Sequence, residues 1–450
     1  MRADATPLEV TPEAAEHIAR CFPSFRDFVD LALFDPRCGY YSTGRVRFGY
    51  GGHYDTFPLA LAPFFGRMVA QYGFRFWRHA GAPRRFEICE LGAGNGQLCL
   101  DVLVAVAERA RQKASWSKFA TSLRYRIIER SPALITRQQQ QLGPLARRVR
   151  WTNRDLTQNA PRLPLGPCGI VIANEVLDCL SHHQIVSRHD TTPGVVFVIP
   201  VLRCAADVPR GVEVVPGLHS EQRAVPAAHL PAVLADERLL QALRFEEAVL
   251  PLNVVPGLEA FLRRHYPEFF HGRRFRPYFA CPAIEPLVAA VACLYNHSEI
   301  LWIDYGDTRD FHLRTSPTRR IFAGPPRSGA SVYRAPGSDD ITFLVDFSVV
   351  AEAAEEAGLR VKFYGPQAEL ARRSGVALDD SSIELIVHYR ALGWMLALVG
   401  VDPERAWRHT GLTWGKQRGG RARLRDDAKR AVEEFLGRRR SNFKLMILRA

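Results

Sequence analysis

Apolar and polar positions follow two different periods along the middle of the chain. Between residues 86 and 173, short runs rich in isoleucine and valine are separated by segments in which apolar residues recur at helical spacing. The pattern predicts strands at 86–91, 124–129, 147–152 and 169–173, with helices near 96–113 and 131–142. Buried strands that alternate with helices are typical of an α/β fold with a doubly wound, mostly parallel sheet.

The alternation stops after residue 200 and resumes at residue 299. The intervening part contains proline-rich loops and three patches with helical periodicity, at 232–246, 256–265 and 283–296, which predict an inserted helical cap. Strand patterns then return at 299–306, in RVKFYG and in the closing NFKLMILRA, and a helix is predicted at 347–359.

Four segments follow from these patterns. We expect an N-terminal helical and loop extension (1–82), the first part of an α/β core (83–200), the inserted helical cap (201–298) and the remainder of the core with the final strands (299–450). Hydrophobic residues make up 47% of the 450 positions, which is enough for one large elaborated domain or two smaller ones.

Composition also bears on location and on metal chemistry. No apolar run approaches the ~18 residues that a membrane-spanning helix needs. Asp4, Glu9, Glu13 and Glu16 make the N-terminus unlike a secretory signal or an organellar transit peptide, so we expect a cytoplasmic protein. Nine scattered cysteines form no C-x-x-C pair, and we therefore expect reduced thiols, no metal site and no disulfide framework.

A net charge of +13 raises the question of a nucleic-acid partner. Only six of the 60 basic residues are lysine, and this bias fits codon usage better than a surface for phosphates. The basic stretches between residues 419 and 444 also carry acidic residues, and we interpret them as a solvated helix face. We expect no nucleic-acid partner, and a homodimer stays open.

The stretch FEICELGAGNGQL, residues 86–98, places an acid and three glycines at the end of the first predicted strand. Gly92 and Gly94 let the backbone turn tightly and approach a ligand, and Gly96 lets the next helix pack closely with its N-terminal amides facing the site. The preceding Glu90 would repel the diphosphate of a dinucleotide. A cationic ligand with an amino group suits this charge, and S-adenosyl-L-methionine is one.

Polar side chains also follow the next three predicted strands, at the edge of the sheet where ligands of open α/β folds bind. Glu129 is predicted to take the ribose hydroxyls of an adenosine, and Asp155 to hold its adenine amino group. Asn174, Glu175 and Asp178 follow the fourth strand. Two alternatives stay open, because Glu129 could pair with a neighbouring arginine and Asn174 could cap a helix.

Six collinear motifs make the chain resemble the MidA-like methyltransferases, a branch of the class I S-adenosylmethionine-dependent enzymes. They are DFVDLALFDPRCGYYS, ELGAGNGQL, ERSPAL with the glutamine run, ANEVLDCL, IDYG and DITFLVDFSVVAEAAEEAGL. The likeness covers roughly residues 25–370. It implies a Rossmann-like core with a seven-stranded sheet and a helical insertion between the fourth and fifth strands. Mitochondrial relatives assist respiratory complex I assembly by methylating an arginine of a subunit.

The resemblance also implies roles for individual residues. Its glycine motif and Glu90 would hold the methionine part of the cofactor, Glu129 the ribose, and the N-E-x-x-D signature would lie at the catalytic edge. Two departures affect the substrate side: YDTFPLALAPFFG keeps Asp55 and Pro58 but loses a serine and a glutamate of the family loop, and the family's D-A-L-P is DCLS here. A changed substrate is therefore an open reading.

Three functions remain open on the sequence. In protein arginine methylation, Glu175 and Asp178, with Asp55 as a third carboxylate, would orient a guanidinium whose pKa lies above ~12. In small-molecule O-methylation of a carboxylate or hydroxyl, cationic or hydrogen-bonding groups would serve instead: Arg45, Arg47, His53, His182 and His183. In the third, the chain is a non-catalytic assembly factor that binds the cofactor. The acceptor is accordingly a protein or a small-molecule acid.

Overall fold

The structure, a computed structural model, describes most of the chain. The described residues are 8–48, 55–158, 166–202, 215–216, 223–316, 321–323, 331–399, 418–439 and 441–449. The α-helices are α1 (Pro12–Cys21), α2 (Phe25–Phe34), α3 (Phe57–Ala60), α4 (Phe64–His79), α5 (Gln97–Gln112), α6 (Ala114–Ser122), α7 (Pro132–Leu142), α8 (Leu230–Leu234), α9 (Glu237–Ala242), α10 (Leu258–His265), α11 (Ile284–Ala292), α12 (Arg309–Arg314), α13 (Phe347–Glu356), α14 (Glu369–Ser374), α15 (Asp380–Val399) and α16 (Arg418–Phe435).

Strands are distributed along the whole chain. They are β1 (Leu8–Glu9), β2 (Phe86–Leu91), β3 (Leu123–Glu129), β4 (Val149–Asn153), β5 (Gly169–Asn174), β6 (His183–Ser187), β7 (Pro193–Leu202), β8 (Val215–Pro216), β9 (Arg223–Ala224), β10 (Leu243–Pro251), β11 (Tyr278–Ala280), β12 (Ser298–Asp307), β13 (Ile321–Ala323), β14 (Ile341–Phe343), β15 (Val345–Asp346), β16 (Arg360–Pro366) and β17 (Phe443–Arg449).

Contacts between residues divide the chain into two compact units. Unit 1 comprises Met1–Val46, Leu177–Leu287 and Asp307–Val350. Unit 2 comprises Arg47–Val176, Val288–Gly306 and Ala351–Ala450. Each unit combines parts of several predicted segments, and the division into four segments along the chain stays a prediction.

Unit 2 is built on a mostly parallel sheet with the strand order β16–β17–β12–β5–β2–β3–β4. The strands from β12 to β4 are parallel to their neighbours, whereas β17 runs antiparallel to both β12 and β16. For the four strands predicted in the first part of the core, the predicted ends lie within two residues of the observed ends. The predicted α/β fold with a doubly wound, mostly parallel sheet is confirmed.

The two faces of β2 and β3 differ in chemistry. Successive residues of a strand point to opposite faces of the sheet. Phe86, Ile88, Tyr125 and Ile127 lie on one face and belong to the large hydrophobic core that also includes residues of α4, α5 and α6. The other face carries Glu87 and the alternating arginines of β3. One face therefore supplies the stability of the unit, and the other presents charge.

Unit 1 contains a second, largely antiparallel sheet in the order β1–β10–β7–β6–β11, with β8 and β9 at its side. The segment 201–298, expected to be a helical cap, thus contains strands as well as α8 to α11. The predicted helix at 232–246 is wrong at its C-terminal end, where β10 begins at Leu243. Nine consecutive residue pairs join β10 to β7, and this long-range ladder overrides the local helical pattern.

Other expectations concern membranes, thiols and metals. Within the described ranges, no helix combines the length and the apolar character needed to cross a bilayer. The eight cysteines in these ranges are free thiols, and Cys204 lies outside them. The same part of the chain holds no group of three His, Cys, Asp or Glu side chains placed to bind a metal ion.

Candidate active site

The glycine loop after β2 has a backbone that only glycine adopts readily. Gly92, Gly94 and Gly96 have φ values of +61°, +53° and +87°, in the left-handed region. A Cβ on Gly94 would lie 3.2 Å from the Phe48 ring, and one on Gly96 would lie 3.3 Å from the Cα of Gln138. Gly96 is also the residue that precedes α5. The predicted tight turn into a closely packed helix is present.

Glu90 is a buried carboxyl group at the end of β2. Its side chain is 5% exposed and accepts a hydrogen bond of 2.7 Å from the Tyr125 hydroxyl. Burial raises the pKa of Glu90 to about 7, the Tyr125 hydrogen bond opposes the increase, and the nearby Glu129 adds to it. The site therefore holds a carboxyl group that a positive ligand would ionise.

Glu129 occupies the equivalent position at the end of β3. It accepts hydrogen bonds from the Ser131 backbone N–H (2.9 Å) and from the Gln138 side-chain amide (3.1 Å). The same Gln138 amide donates to the Gly94 carbonyl, and its oxygen accepts from the Trp151 indole. Burial raises the pKa of Glu129 to about 7, although these hydrogen bonds oppose the increase. Gln138 thus connects the glycine loop to Glu129.

Asp155 follows β4, and its carboxylate is engaged by its own turn. Oδ1 accepts from the backbone N–H (2.9 Å) and the hydroxyl (2.6 Å) of Thr157, and Oδ2 accepts from the Gln158 amide. Oδ2 also lies 3.3 Å from the Arg130 Nε. These contacts hold a polar turn at the carboxyl edge of the sheet, and the role of Asp155 toward an adenine stays a prediction.

The chain reverses sharply after β5, at Glu175. Its φ of +53° is left-handed, which is unusual for a residue with a side chain and is a form of strain found at functional sites. The Glu175 N–H donates to the Ile303 carbonyl (2.8 Å), and the next N–H, of Val176, donates to the Asp304 carboxylate (3.1 Å). The end of β12 therefore fixes this turn.

Asn174 and Glu175 form a connected polar pair in unit 2. The Asn174 amide donates to Glu175 Oε1 (2.9 Å), which also accepts from the Phe57 N–H (3.4 Å). Within the described residues, the buried Oδ1 of Asn174 has no hydrogen-bond partner. Asp55 is exposed, two residues before Phe57 in the chain. The structure thus brings together two of the predicted residues, Asn174 and Glu175, and Asp55 lies two residues from their contact Phe57 along the chain.

Asp178 begins a second acidic cluster, in unit 1. Its side chain is 3% exposed, and its carbonyl accepts from the Phe343 N–H. Burial raises the pKa of the neighbouring Asp340 to about 7, and the Asp178 charge adds to this increase. The Tyr41 hydroxyl donates to Asp340 Oδ1 (2.8 Å) and lies 3.2 Å from the Cys179 sulfur. The pKa of Asp340 thus responds to the charge of Asp178, and the two carboxyl groups are neighbours in unit 1.

The two histidines considered as cationic groups are neutral and packed. Burial lowers the pKa of both His182 and His183 to about 3. The His182 ring stacks on Phe343 with centroids 4.2 Å apart, and its Nδ1 lies 2.7 Å from the Leu180 carbonyl. Neither histidine carries a positive charge at neutral pH. His53 lies outside the described residues.

Four residues of these clusters were not singled out from the sequence. Tyr125 and Gln138 act on Glu90 and Glu129 from positions that look like ordinary strand and helix residues. Asp304 lies in the motif IDYG and Asp340 in DITFLVDFS, but the sequence alone assigned no role to either residue. The signal that could have identified Asp304 is a polar residue directly after an apolar run of the sequence.

Residues 68–365 match the sequence profile of a family described as S-adenosyl-L-methionine-dependent methyltransferase. The chain belongs to this family. The resemblance drawn from the six motifs is confirmed, and the cofactor of the family is S-adenosyl-L-methionine. The chain is also 33% identical over 180 residues to the "Protein arginine methyltransferase NDUFAF7 homolog, mitochondrial" of Drosophila melanogaster. That match spans 35% of this chain and 37% of the relative, so this chain covers little more than a third of the relative's length.

Two crystal structures from Burkholderia thailandensis have the same fold. One, with S-adenosyl-homocysteine bound, has a TM-score of 0.61 and 20% sequence identity, over 98% of this chain and 95% of the other. The native form of a protein of the same superfamily has a TM-score of 0.57 with the same identity and coverage. At this identity the likeness concerns the fold.

The residues of unit 2 suit a cationic, amino-bearing cofactor. Glu90 and Glu129 are buried carboxyl groups for which no ion pair occurs among the described side chains, and a positive ligand would stabilise the ionised form of both. At Gly94 the backbone carries no side chain in the place where a Cβ would contact the Phe48 ring. The unpartnered Asn174 Oδ1 adds an acceptor for an amino group. The family's cofactor therefore fits the chemistry of this chain.

Replacing Glu90 by glutamine tests the buried charge. The folded-state pKa of Glu90 is about 7, whereas its ordinary value is 4.5. As the pH rises, the unfolded chain therefore releases this proton before the folded protein does, and the ligand-free protein loses stability between these two pH values. Glu90→Gln should raise the melting temperature of the ligand-free protein by a few degrees at pH 8 and hardly at pH 4. Affinity for S-adenosylmethionine should fall about tenfold or more.

Thermal melts at the two pH values and calorimetric titrations measure both effects. The exposed Glu108→Gln on α5 is the matched control and should change neither quantity. A lower melting temperature at pH 8 together with unchanged affinity would make Glu90 a purely structural residue.

Gly94→Val tests the close approach at the loop. The branched side chain would be strained at a φ of +53° and would press on the Phe48 ring, so we expect S-adenosylmethionine binding to be lost in calorimetry. Gly81→Val is the control, because Gly81 has a φ of +80° but no atom within 4 Å of its added Cβ. That variant should cost stability and keep affinity. Equal affinities in both variants would contradict the placement of the site.

Proposed function

We propose that the clusters at the carboxyl ends of β2, β3 and β5 bind S-adenosylmethionine. Glu90 and Gly92, Gly94 and Gly96 would hold the methionine part, Glu129 the ribose, and Asn174 would accept from the amino group. Asp155 is proposed for the adenine side, through the turn it already orders. When bound, the cofactor supplies an electrophilic methyl group on a positively charged sulfur.

We further propose that the methyl acceptor is the guanidinium of a protein arginine. The carboxyl pair of Asp178 and Asp340 is the observation that carries this proposal, because it concentrates negative charge that can be matched by a cation. Glu175 and the exposed Asp55, the other two carboxylates predicted from the sequence, belong to unit 2 and stay proposed for the same role. The name of the Drosophila relative, a protein arginine methyltransferase, agrees with this acceptor.

The proposed roles of these residues follow from the chemistry of a guanidinium. Its pKa above ~12 keeps it protonated, and charge must be localised on one nitrogen for that nitrogen to attack a methyl group. A carboxylate that accepts two N–H hydrogen bonds favours this polarisation and can receive the proton that the nitrogen releases. Asp178 is the proposed acceptor of that proton. Asp340, held by Tyr41, would set how much negative charge the pair carries.

Small-molecule O-methylation loses support from the state of the histidines. A carboxylate substrate would need positive groups beside it, and His182 and His183 are neutral because burial lowers the pKa of each to about 3. Arg45 and Arg47 are exposed in the described chain and remain as cations near the altered loop. The assay below distinguishes O-methylation and a non-catalytic assembly factor from arginine methylation.

A cytoplasmic location is proposed, in line with the free thiols of the described cysteines. The Drosophila relative is named as mitochondrial, so the compartment is a separate question from the activity. Fractionation of cells that produce the full chain would answer it.

The acceptor class is tested with purified protein, methyl-labelled S-adenosylmethionine and lysate of the source cells. We expect the label in a protein band, and acid hydrolysis of that band should release methylated arginine. Label in an organic extract would favour the small-molecule reading instead. Binding of the cofactor without any labelled product would favour the assembly-factor reading.

Asp178→Asn tests the proton acceptor. We expect unchanged cofactor affinity and a loss of turnover of about 100-fold or more, as for the removal of a general base. Asp340→Asn is the companion variant. Since Asp340 becomes ionised as the pH rises through about 7, turnover of the wild type should increase over this range, and the variant should lack that increase. Normal turnover in Asp178→Asn would remove Asp178 from the mechanism.

A further inference from the structure

Unit 2 has a cavity of about 400 Å³, lined mainly by arginine. We call it the arginine pocket; its charged lining residues are Arg85, Glu87, Arg124, Arg126, Arg147, Arg148 and Arg150. They come from the first residues of β2, β3 and β4 and from the segment just before β4. Six cations and one carboxylate leave a net charge of +5 on this lining at neutral pH, counted from these residues.

Both oxygens of Glu87, the carboxylate of the pocket, already accept hydrogen bonds. It accepts from the Arg126 Nε (2.9 Å), from Arg85 (3.0 Å) and from the Tyr295 hydroxyl (3.0 Å). Burial opposes ionisation, but the hydrogen bond and charge of Arg126 prevail and hold the pKa of Glu87 below its usual value. Arg126 itself is held firmly, with a side chain only 5% exposed. Glu87 therefore balances two arginines and leaves the other four without a carboxylate.

Strand register brings like charges together on one face of the sheet. Arg126 on β3 is the register partner of Arg150 on β4, and Arg124 precedes them on the same face. Like charges on neighbouring strands are destabilising. Within the described residues, no ion pair involves Arg124, Arg147, Arg148 or Arg150; Arg124 and Arg148 only donate to backbone carbonyls. Glu87 relieves the repulsion only at Arg126 and Arg85, and the other four arginines face solvent without a carboxylate partner among the described residues.

We propose that the arginine pocket binds a small anion with two or more linked phosphate groups. Guanidinium groups present paired N–H donors that match phosphate oxygens, and several of them in one concavity favour a ligand with more than one phosphate. A volume of about 400 Å³ lies in the range of small-molecule sites. The anion would remove the repulsion between the strands and occupy donors that have no carboxylate partner.

This pocket is separate from the cofactor site on the same sheet. Arg124 and Glu129 lie five residues apart on β3, which corresponds to about 16 Å along a strand. The acidic cluster is at the carboxyl ends of the strands and the arginine pocket is at their amino ends. The proposal therefore stands independently of the acceptor and of the methyl-transfer mechanism.

The limited volume of the arginine pocket, which is open to solvent at its exposed arginines, favours a small anion over a nucleic-acid backbone. Proteins that bind single strands combine an extended basic groove with aromatic side chains on which bases stack. Tyr125, the aromatic residue of this lining, is 1% exposed and its hydroxyl is bonded to Glu90, so it offers no face for a base. The recognition would concern the phosphates alone.

Isothermal titration of the full chain with tripolyphosphate tests the proposal. We expect one bound anion per chain, with weaker binding of inorganic phosphate because a single phosphate engages fewer guanidinium groups. The double variant Arg124→Gln/Arg150→Gln should raise the Kd for tripolyphosphate about tenfold or more. Its melting temperature without anion should not fall, because the substitution removes repulsion and leaves the Arg126–Glu87 pair intact.

The control is Arg111→Gln/Arg430→Gln, which removes two exposed charges elsewhere in unit 2. Its Kd should stay within about twofold of wild type; an equal loss in both double variants would reduce the binding to overall charge and overturn the proposal. A single-stranded oligonucleotide without terminal phosphates is the second probe. If it binds more tightly than tripolyphosphate and depends on the same arginines, the surface serves nucleic acid and the small-anion proposal is wrong.

Discussion

Two carboxyl groups buried at the ends of adjacent parallel strands impose the main constraint on unit 2. Glu90 and Glu129 lie where solvent does not stabilise their charge, and the described part of the chain provides hydrogen bonds from Tyr125, Ser131 and Gln138 but no cation. Without a positive partner each group keeps a proton near neutral pH. A cofactor whose sulfur and amino group are positive, bound at the proposed site, would complete this arrangement, so that the same charges that destabilise the free protein would favour the bound state.

The polarity of the parallel sheet organises the chemistry of the whole unit. All strands from β12 to β4 point the same way, so residues that end strands collect at one edge and residues that begin them collect at the other. The first set is acidic, with Glu90, Glu129 and Glu175, and the second is rich in arginine. The proposed cofactor site and the proposed anion site can therefore occupy one sheet without sharing residues.

Sequence patterns predicted the central sheet well because most of its strands are apolar, and β2, β3, β12 and β16 are each followed by a helix. They did not predict the sheet of unit 1. Residues 243–246 carry a helical pattern, yet they pair with β7, about 45 residues earlier in the chain, a contact that no local period contains. The acids and glycines of the site could be identified from the sequence because they lie at the ends of these strands or directly after them. Gln138, Asp304 and Asp340 were not, because their importance depends on which distant group each one contacts.

The position of β17 has a consequence for how the protein is made. This strand lies between β12 and β16, and its Arg449 pairs with Glu299, 150 residues earlier. Both of its neighbours leave the ribosome first, so the nascent sheet has an open slot with two unpaired edges until residue 449 emerges. During that interval the edges are exposed to other extended chains, and protection by a chaperone would matter most then.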